Sequence, residues 1–273
     1  MDNGIEKSVQ ETIMALRDRG ALFVINHSGG KDSQAMYLHV RKLVPKDQIA
    51  IVHADLGPVE WAGAIRHIQE TTSDEPLHVC KSRRTLLEMI EQRGMFPSPT
   101  LRQCTSDLKR GVIEKTIRGI TKDRKAAGNS AWGLVVNCMG MRAQESSSRA
   151  KLVQFKQHLG NSKAGREWYD WLPIHDWSAQ QVFDSIAQAG QRPHVVYSLG
   201  MSRFSCVFCV MSNKQDLTTA ARLATEQPEL LNDPELYKKY VGLERSTGQV
   251  MMMPTKKNGR LTLEDITGVL APV

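Results

Sequence analysis

The stretch Leu22-Phe23-Val24-Ile25-Asn26, followed at once by His27-Ser28-Gly29-Gly30-Lys31-Asp32-Ser33, constrains this chain more than any other feature. A short apolar run before a glycine turn predicts a buried strand, and the 3.6-residue periodicity of Asp32–Leu43 predicts an amphipathic helix directly after it. Two glycines let the backbone bend tightly and bring its N–H groups close to a ligand. The helix start adds unpaired N–H groups and the positive end of a dipole. Ser28 and Ser33 offer hydroxyls and Lys31 offers charge, so the segment suits a phosphate group. It is not a Walker A loop, which needs a glycine where Ile25 stands and a Ser or Thr where Asp32 stands. Asp32 would repel phosphate unless a divalent cation or hydrogen bonds compensate. The plainer alternative is a Gly-Gly turn that only caps a helix.

Around this loop the first two-thirds of the chain alternates short apolar runs with amphipathic stretches, the pattern of a parallel sheet flanked by helices. Strands are predicted at Leu22–Asn26, Ile49–His53, Leu77–Cys80 and Gly133–Cys138. A leading helix runs from Ile5 to Asp18, with Ile5, Val9, Ile13 and Leu16 on one face. Further helices are expected near Val59–Thr72, Arg83–Arg93 and Ser106–Ile120, and Ser178 opens a capping box for one ending at Gly190. From about Arg192 the pattern changes to a cysteine-bearing loop, two helical stretches, a short Val250–Met253 strand and a last helix from Thr262. We therefore expect an α/β domain over 1–190 and a mainly helical, CxxC-containing subdomain over 191–273.

A formal net charge of +7 suits polyanionic ligands such as nucleotides or nucleic acid, although solubility alone would also explain it. There is no apolar run long enough for a bilayer and no signal-peptide pattern at the start. Five cysteines, an odd number, do not form a secreted disulfide framework. A cytoplasmic protein without a membrane partner is expected; a homo-oligomer is left open.

Two more strand ends carry chemistry. Asp55, in Val52-His53-Ala54-Asp55-Leu56-Gly57, stands at the carboxyl end of the second strand, where such sheets bind ligands. It suits a metal or ribose contact, with His53 in support, or simply a turn. After Gly133–Cys138 come Arg142, Glu145 and Arg149. Forked guanidinium groups match phosphate or sulfate, whereas an Arg142–Glu145 pair on a solvated helix face is the plainer alternative. Cys206-Val207-Phe208-Cys209 can clamp a metal from a tight turn or act as a reactive dithiol, and Cys104 is a third thiol.

On these residues the chain resembles the PP-loop (N-type) ATP pyrophosphatases. The loop Ser28-Gly29-Gly30-Lys31-Asp32-Ser33 matches theirs position for position. His53-x-Asp55-x-Gly57 is comparable to theirs, Arg142, Glu145 and Arg149 match their Gly-x-Arg-x-x-Glu-Ser-x-x-Arg, and the segment around Arg102-Gln103-Cys104-Thr105 resembles one of the same branch. More narrowly it is similar to the phosphoadenosine-phosphosulfate reductase-like branch, which includes the ATP sulfurylase small subunit and the ATP pyrophosphatases of DNA phosphorothioation.

The resemblance implies an adenine-nucleotide α-hydrolase-like, Rossmann-like fold. It also implies an enzyme that binds ATP with Mg²⁺ and adenylates an acceptor, releasing pyrophosphate, in sulfur metabolism or nucleic-acid thio-modification. Lys31, Asp32, Arg142 and Arg149 would then be catalytic. Ser28, Gly29, Gly30, Lys31, Asp32, Ser33, His53, Asp55, Gly140, Arg142 and Glu145 would hold the nucleotide, with Asp32 and Asp55 near Mg²⁺. Cys104, Cys206 and Cys209 would contribute to a [4Fe–4S] cluster or a Zn²⁺ site, the fourth ligand being unassigned. A sulfur donor protein or nucleic acid is the expected partner. Two alternatives stand: a reductase of adenylyl sulfate or its 3′-phosphate, though no cysteine follows Cys209, and a non-catalytic nucleotide-binding module.

Overall fold

The computed structural model describes residues 2–73, 75–254 and 259–271, with side chains from residue 8 onward. Helix α1 covers Asp2–Asp18 and buries Ile13 and Leu16, with Val9 partly buried. Ile5, assigned to the same face, lies outside the described side chains.

The six strands are β1 (Leu22–Asn26), β2 (Ile49–Asp55), β3 (Leu77–Lys81), β4 (Leu134–Met139), β5 (Phe155–Gln157) and β6 (Glu167–Trp171), in the order β3-β2-β1-β4-β6-β5. β1 runs parallel to β2 and β4, and β4 runs parallel to β6, while the edge strand β5 is antiparallel to β6. The chain starts in the middle, builds outward to β3, then returns to lay β4 on the other side of β1. That reversal makes the ends of β1 and β4 a topological switch point, where open parallel sheets form a ligand crevice. The fold is thus the expected parallel sheet flanked by helices. β5 and β6 were not predicted, and the strand expected at Val250–Met253 is absent, its Met251 N–H donating to the Glu244 carboxylate instead of a ladder partner.

Two compact units emerge. The first comprises 1–53, 68–79 and 113–193, and the second comprises 54–67, 80–112 and 194–273. The second therefore takes two segments from within the predicted 1–190 region. A linear reading could not find this, because both segments are crossover connections that leave the strand pattern intact.

In the first unit Phe23, Ile25, Ile51, Val136 and Cys138 pack with Ala35, Met36 and Val40 of helix α2 (Lys31–Leu43), and with Val182 and Ile186 of the helix Ala179–Gln188. Leu22, Val24 and Val135, on the opposite face, are buried too, which is why the strands read as continuous apolar runs. Gly133 opens β4 where the backbone of Gly165 and Arg166 presses against it; an added Cβ would overlap the Gly165 carbonyl and lie 3.1 Å from the Arg166 Cα. Backbone cannot swing aside as a side chain can, so Gly133→Ala should cost about 3 kcal/mol, at the upper end for overpacking. Calorimetry should show Tm lower by roughly 5–10 °C; an unchanged Tm would mean that the strand start is loose.

The second unit has its own core, centred on Trp61, Met89, Phe208, Leu217, Tyr237 and Tyr240. Its helices Lys214–Glu226, Leu236–Thr247 and Leu263–Thr267 agree with the mainly helical C-terminal pattern. His194 is buried there, with its Nε2 3.2 Å from the Ala62 carbonyl and its ring 4.7 Å from that of Phe204. Burial first, then the neighbouring His67, pushes its pKa down to about 4. An unfolded chain binds this proton near pH 6.5. Between those values the unfolded state holds more protons, so stability should fall as pH drops from 6.5 toward 4. The urea midpoint should be lower at pH 5 than at pH 7, and His194→Gln should flatten the difference; a wild-type midpoint unchanged over that range contradicts the assignment.

Candidate nucleotide site

Everything expected of the loop after β1 lies in the first unit. Gly29 takes the left-handed conformation at φ 84°, a backbone state that side chains with a Cβ rarely adopt. Gly30 is the N-cap of α2 and, having no side chain, provides no side-chain cap. Ser33 Oγ ties the loop together: it donates to the Gly30 carbonyl at 2.8 Å, accepts from the Ser28 N–H at 3.2 Å, and lies 3.3 Å from both Ser28 Oγ and His27 Nδ1. His27 Nδ1 also accepts from the Gly29 N–H at 3.1 Å. The loop's shape is fixed by its own side chains. His53, buried near the end of β2, approaches the His27 carbonyl at 2.9 Å through Nδ1, at the base of the loop.

Charge gathers at Asp32. Its Oδ2 is 3.2 Å from Lys31 Nζ, and its Oδ1 accepts from Arg142 Nε at 2.6 Å. Both cations are nearly buried, with side chains 6% exposed, so little water screens them. The aspartate that would repel phosphate is thus offset by hydrogen-bonded cations. Arg142 is fixed from behind: Nη1 donates to Gln144 Oε1 at 3.0 Å and to the Trp177 carbonyl at 3.3 Å. Its backbone N–H donates to Glu145, whose carboxylate also pairs with Arg149. The plainer alternative of an Arg142–Glu145 side-chain pair is therefore not what forms. Arg142 turns to the loop, and Arg149 takes Glu145.

Gly140 lets β4 approach this closely. A Cβ there would stand 3.1 Å from the Asp32 carbonyl oxygen and 3.2 Å from the Ser33 nitrogen. Below it a polar row links three strands: Asn26 Nδ2 donates to Asn137 Oδ1 at 2.7 Å, and Asn137 Nδ2 donates to Asp170 Oδ1 at 2.9 Å. Gln144 and this row were missed in the sequence. Gln144 sits inside the Arg142–Arg149 motif and could have been suspected; the row depends on register and could not.

Asp55 belongs to the second unit. It accepts from the Gly57 N–H at 2.7 Å, closing a turn, and lies 3.6 Å from Lys81. In the same unit Cys104, Cys206 and Cys209 share an electrostatic neighbourhood with Lys109 and Tyr240. Burial raises the Cys104 thiol pKa and takes that of Cys206 to about 12, each partly countered by Lys109. The Tyr240 hydroxyl is buried without a hydrogen-bond partner among the described residues. A [4Fe–4S] cluster needs four ligands, and a Zn²⁺ site needs a tetrahedral set of deprotonated donors. Among the described residues no group of three or more His, Cys, Asp or Glu is arranged to hold a metal ion.

Among the described residues no helix is long and apolar enough to cross a membrane. Solved structures with a similar arrangement include phosphoadenylyl-sulfate (PAPS) reductase from Candida auris, 14% identical with a TM-score of 0.41 over 67% of this chain and 80% of that one. Another is the FMN adenylyltransferase of Candida glabrata, solved with FAD and inorganic pyrophosphate, 13% identical with a TM-score of 0.40 over 68% of this chain and 54% of that one. A curated relative, an uncharacterized 37.8 kDa protein of Escherichia phage 186, is 25% identical over 174 residues. That match takes in 64% of this chain, which spans about half, 48%, of the relative's length. The sequence model of the phosphoadenosine phosphosulfate reductase domain matches residues 23–212, from β1 through the loop to the last cysteine and beyond. This chain belongs to the phosphoadenosine phosphosulfate reductase domain family, whose nucleotide-binding fold it shares.

Proposed function

We propose that the protein is an ATP pyrophosphatase-type enzyme that holds the Mg²⁺ complex of ATP as substrate and transfers the adenylyl group to an acceptor. The observation that carries this reading is the reach of Arg142 from the end of β4 to Asp32, beside Lys31 and a capless helix start. In the reaction a bond forms between the acceptor's nucleophilic atom and the α-phosphorus. The bond from the α-phosphorus to the bridging oxygen breaks, and the electron pair leaves with pyrophosphate. Loop N–H groups and Lys31 suit the departing β- and γ-phosphates, and Arg142 suits the charge that develops at the α-phosphate. Arg149 and Glu145 act one step back, keeping the Arg142 backbone in register. This work is positioning and electrostatics, with no covalent step through the protein.

A sulfur-containing carrier or a nucleic acid is the acceptor class we assign, and the cytoplasm, where ATP is abundant and thiols stay reduced, is the compartment. That none of the five cysteines forms a disulfide is consistent with it. The reductase alternative needs a thiolate at neutral pH; the raised pKa values of Cys104 and Cys206 weigh against it. The test is product analysis: incubation with ATP, Mg²⁺ and candidate acceptors should yield pyrophosphate and an adenylated product. Orthophosphate alone, or sulfite release from an adenylyl sulfate without ATP, would refute the proposal.

A further inference from the structure

The first unit has a second cleft that the nucleotide reading does not use. It measures about 210 Å³ and lies between α1, α2 and the strap that follows β6. Its polar and aromatic lining consists of Gln10, His39, Gln154, Trp171, Asp176 and Trp177, over an aliphatic floor from α1 and α2. The His39 ring meets Trp177 edge-on, with centroids 5.3 Å apart and planes at 72°, and lies 6.4 Å from Trp171. Burial, then the nearby Lys42, lowers the His39 pKa, so at neutral pH the ring is an uncharged aromatic wall. His39 is eight residues along α2 from Lys31, about 12 Å at the helical rise. The cleft is therefore displaced down the helix from the phosphate loop, although the Trp177 carbonyl also holds Arg142.

Each lining group selects a property of the occupant. The Trp177 indole and a neutral imidazole, backed by the buried Trp171, favour a flat ring with polarisable faces. Two glutamine amides each present a donor and an acceptor, the pattern that reads base edges. A purely aliphatic ligand would leave both amides unmatched. Asp176, with a side chain 55% exposed and its Oδ1 3.2 Å from His175 Nδ1, repels a bare phosphate but accepts from an exocyclic amino group.

We infer that the cleft framed by His39, Trp171 and Trp177 binds an amino-bearing nucleobase, with Gln10, Gln154 and Asp176 reading its edge. Such a base can come from a free nucleoside or from an unpaired position in a strand. Base binding here is separable from ATP cleavage, since its measurement needs no turnover.

Tryptophan fluorescence of the intact protein is titrated with cytidine, uridine and a short oligodeoxycytidylate, with a non-hydrolysable ATP analogue present to occupy the phosphate loop. Cytidine should give saturable quenching and bind at least about fivefold tighter than uridine, and Asp176→Asn should erase that preference. Gln10→Ala with Gln154→Ala should weaken cytidine about tenfold. Trp177→Phe should remove most of the signal, while calorimetric titration still detects binding. An oligonucleotide that binds far more tightly than cytidine identifies a strand as the source; equal affinities identify the free nucleoside. Equal binding of cytidine and uridine, or no saturation up to roughly 10 mM, overturns the inference.

Discussion

Asp32→Ala should lower pyrophosphate release at least about a hundredfold, the scale at which a preorganised electrostatic element is lost. Its affinity for inorganic pyrophosphate should hold or even tighten. The two effects have one cause. Asp32 is the carboxylate between Lys31 and Arg142, at 3.2 and 2.6 Å. Without it two nearly buried cations lose the carboxylate that both contact, and an anion entering the loop can take its place. They would no longer stand where the transferring phosphate needs them, so binding survives while turnover falls. Asp32→Asn keeps the shape and one acceptor, and should fall between wild type and alanine in turnover. The measurements are coupled-enzyme pyrophosphate detection and calorimetric titration with pyrophosphate. Loss of turnover together with equally weakened pyrophosphate binding would mean that the carboxylate serves only to build the loop.

The loop was legible in sequence because it is local. Strand, glycines, lysine and helix are contiguous, and neighbouring backbone geometry determines what they form. The β1–loop–α2 unit appears within a residue of where periodicity places it, Lys31–Leu43 against Asp32–Leu43. The partner of Asp32 was not legible. Arg142 is 110 positions away in sequence, and only the return of the chain to β4 beside β1 brings it there. Glu145 posed a similar problem: its spacing allowed a bond to Arg142 or to Arg149, and packing selected Arg149.

The missed strand β6 shows a different limit. Glu167-Trp168-Tyr169-Asp170-Trp171 carries two carboxylates in five residues, which breaks the apolar run that marks the other strands. Asp170 is instead buried because Asn137 donates to it, and Glu167 pairs with Arg19 at the other end. A buried polar residue is tolerated when its partner is in place, and that partner sits on another strand. The cysteines show the same limit from the other side. Cys206 and Cys209 have metal-ligand spacing, but spacing describes two ligands, and the arrangement of Cys104 around Lys109 belongs to the tertiary fold.

Arg142→Lys tests whether the guanidinium is needed as a shape or only as a charge. The wild-type group satisfies three acceptors from one rigid plane: Asp32 Oδ1 at 2.6 Å, Gln144 Oε1 at 3.0 Å and the Trp177 carbonyl at 3.3 Å. An ammonium on a flexible stem can keep the ion pair but cannot span all three acceptors. At a site where the residue is only 5% exposed, the acceptors left behind have little water to turn to. Stability should fall by about 1–3 kcal/mol, and the turnover number should fall roughly ten- to a hundredfold with KM for ATP changed much less. Arg142→Ala should be worse still, yet millimolar guanidinium added to that variant should restore part of its turnover, because the cradle formed by Asp32, Gln144 and Trp177 remains. Ammonium or methylammonium at the same concentration should restore less. If the Arg142→Lys variant turned over like wild type, charge alone would suffice at that position, and the forked geometry between β4 and the phosphate loop would be structural rather than part of adenylyl transfer.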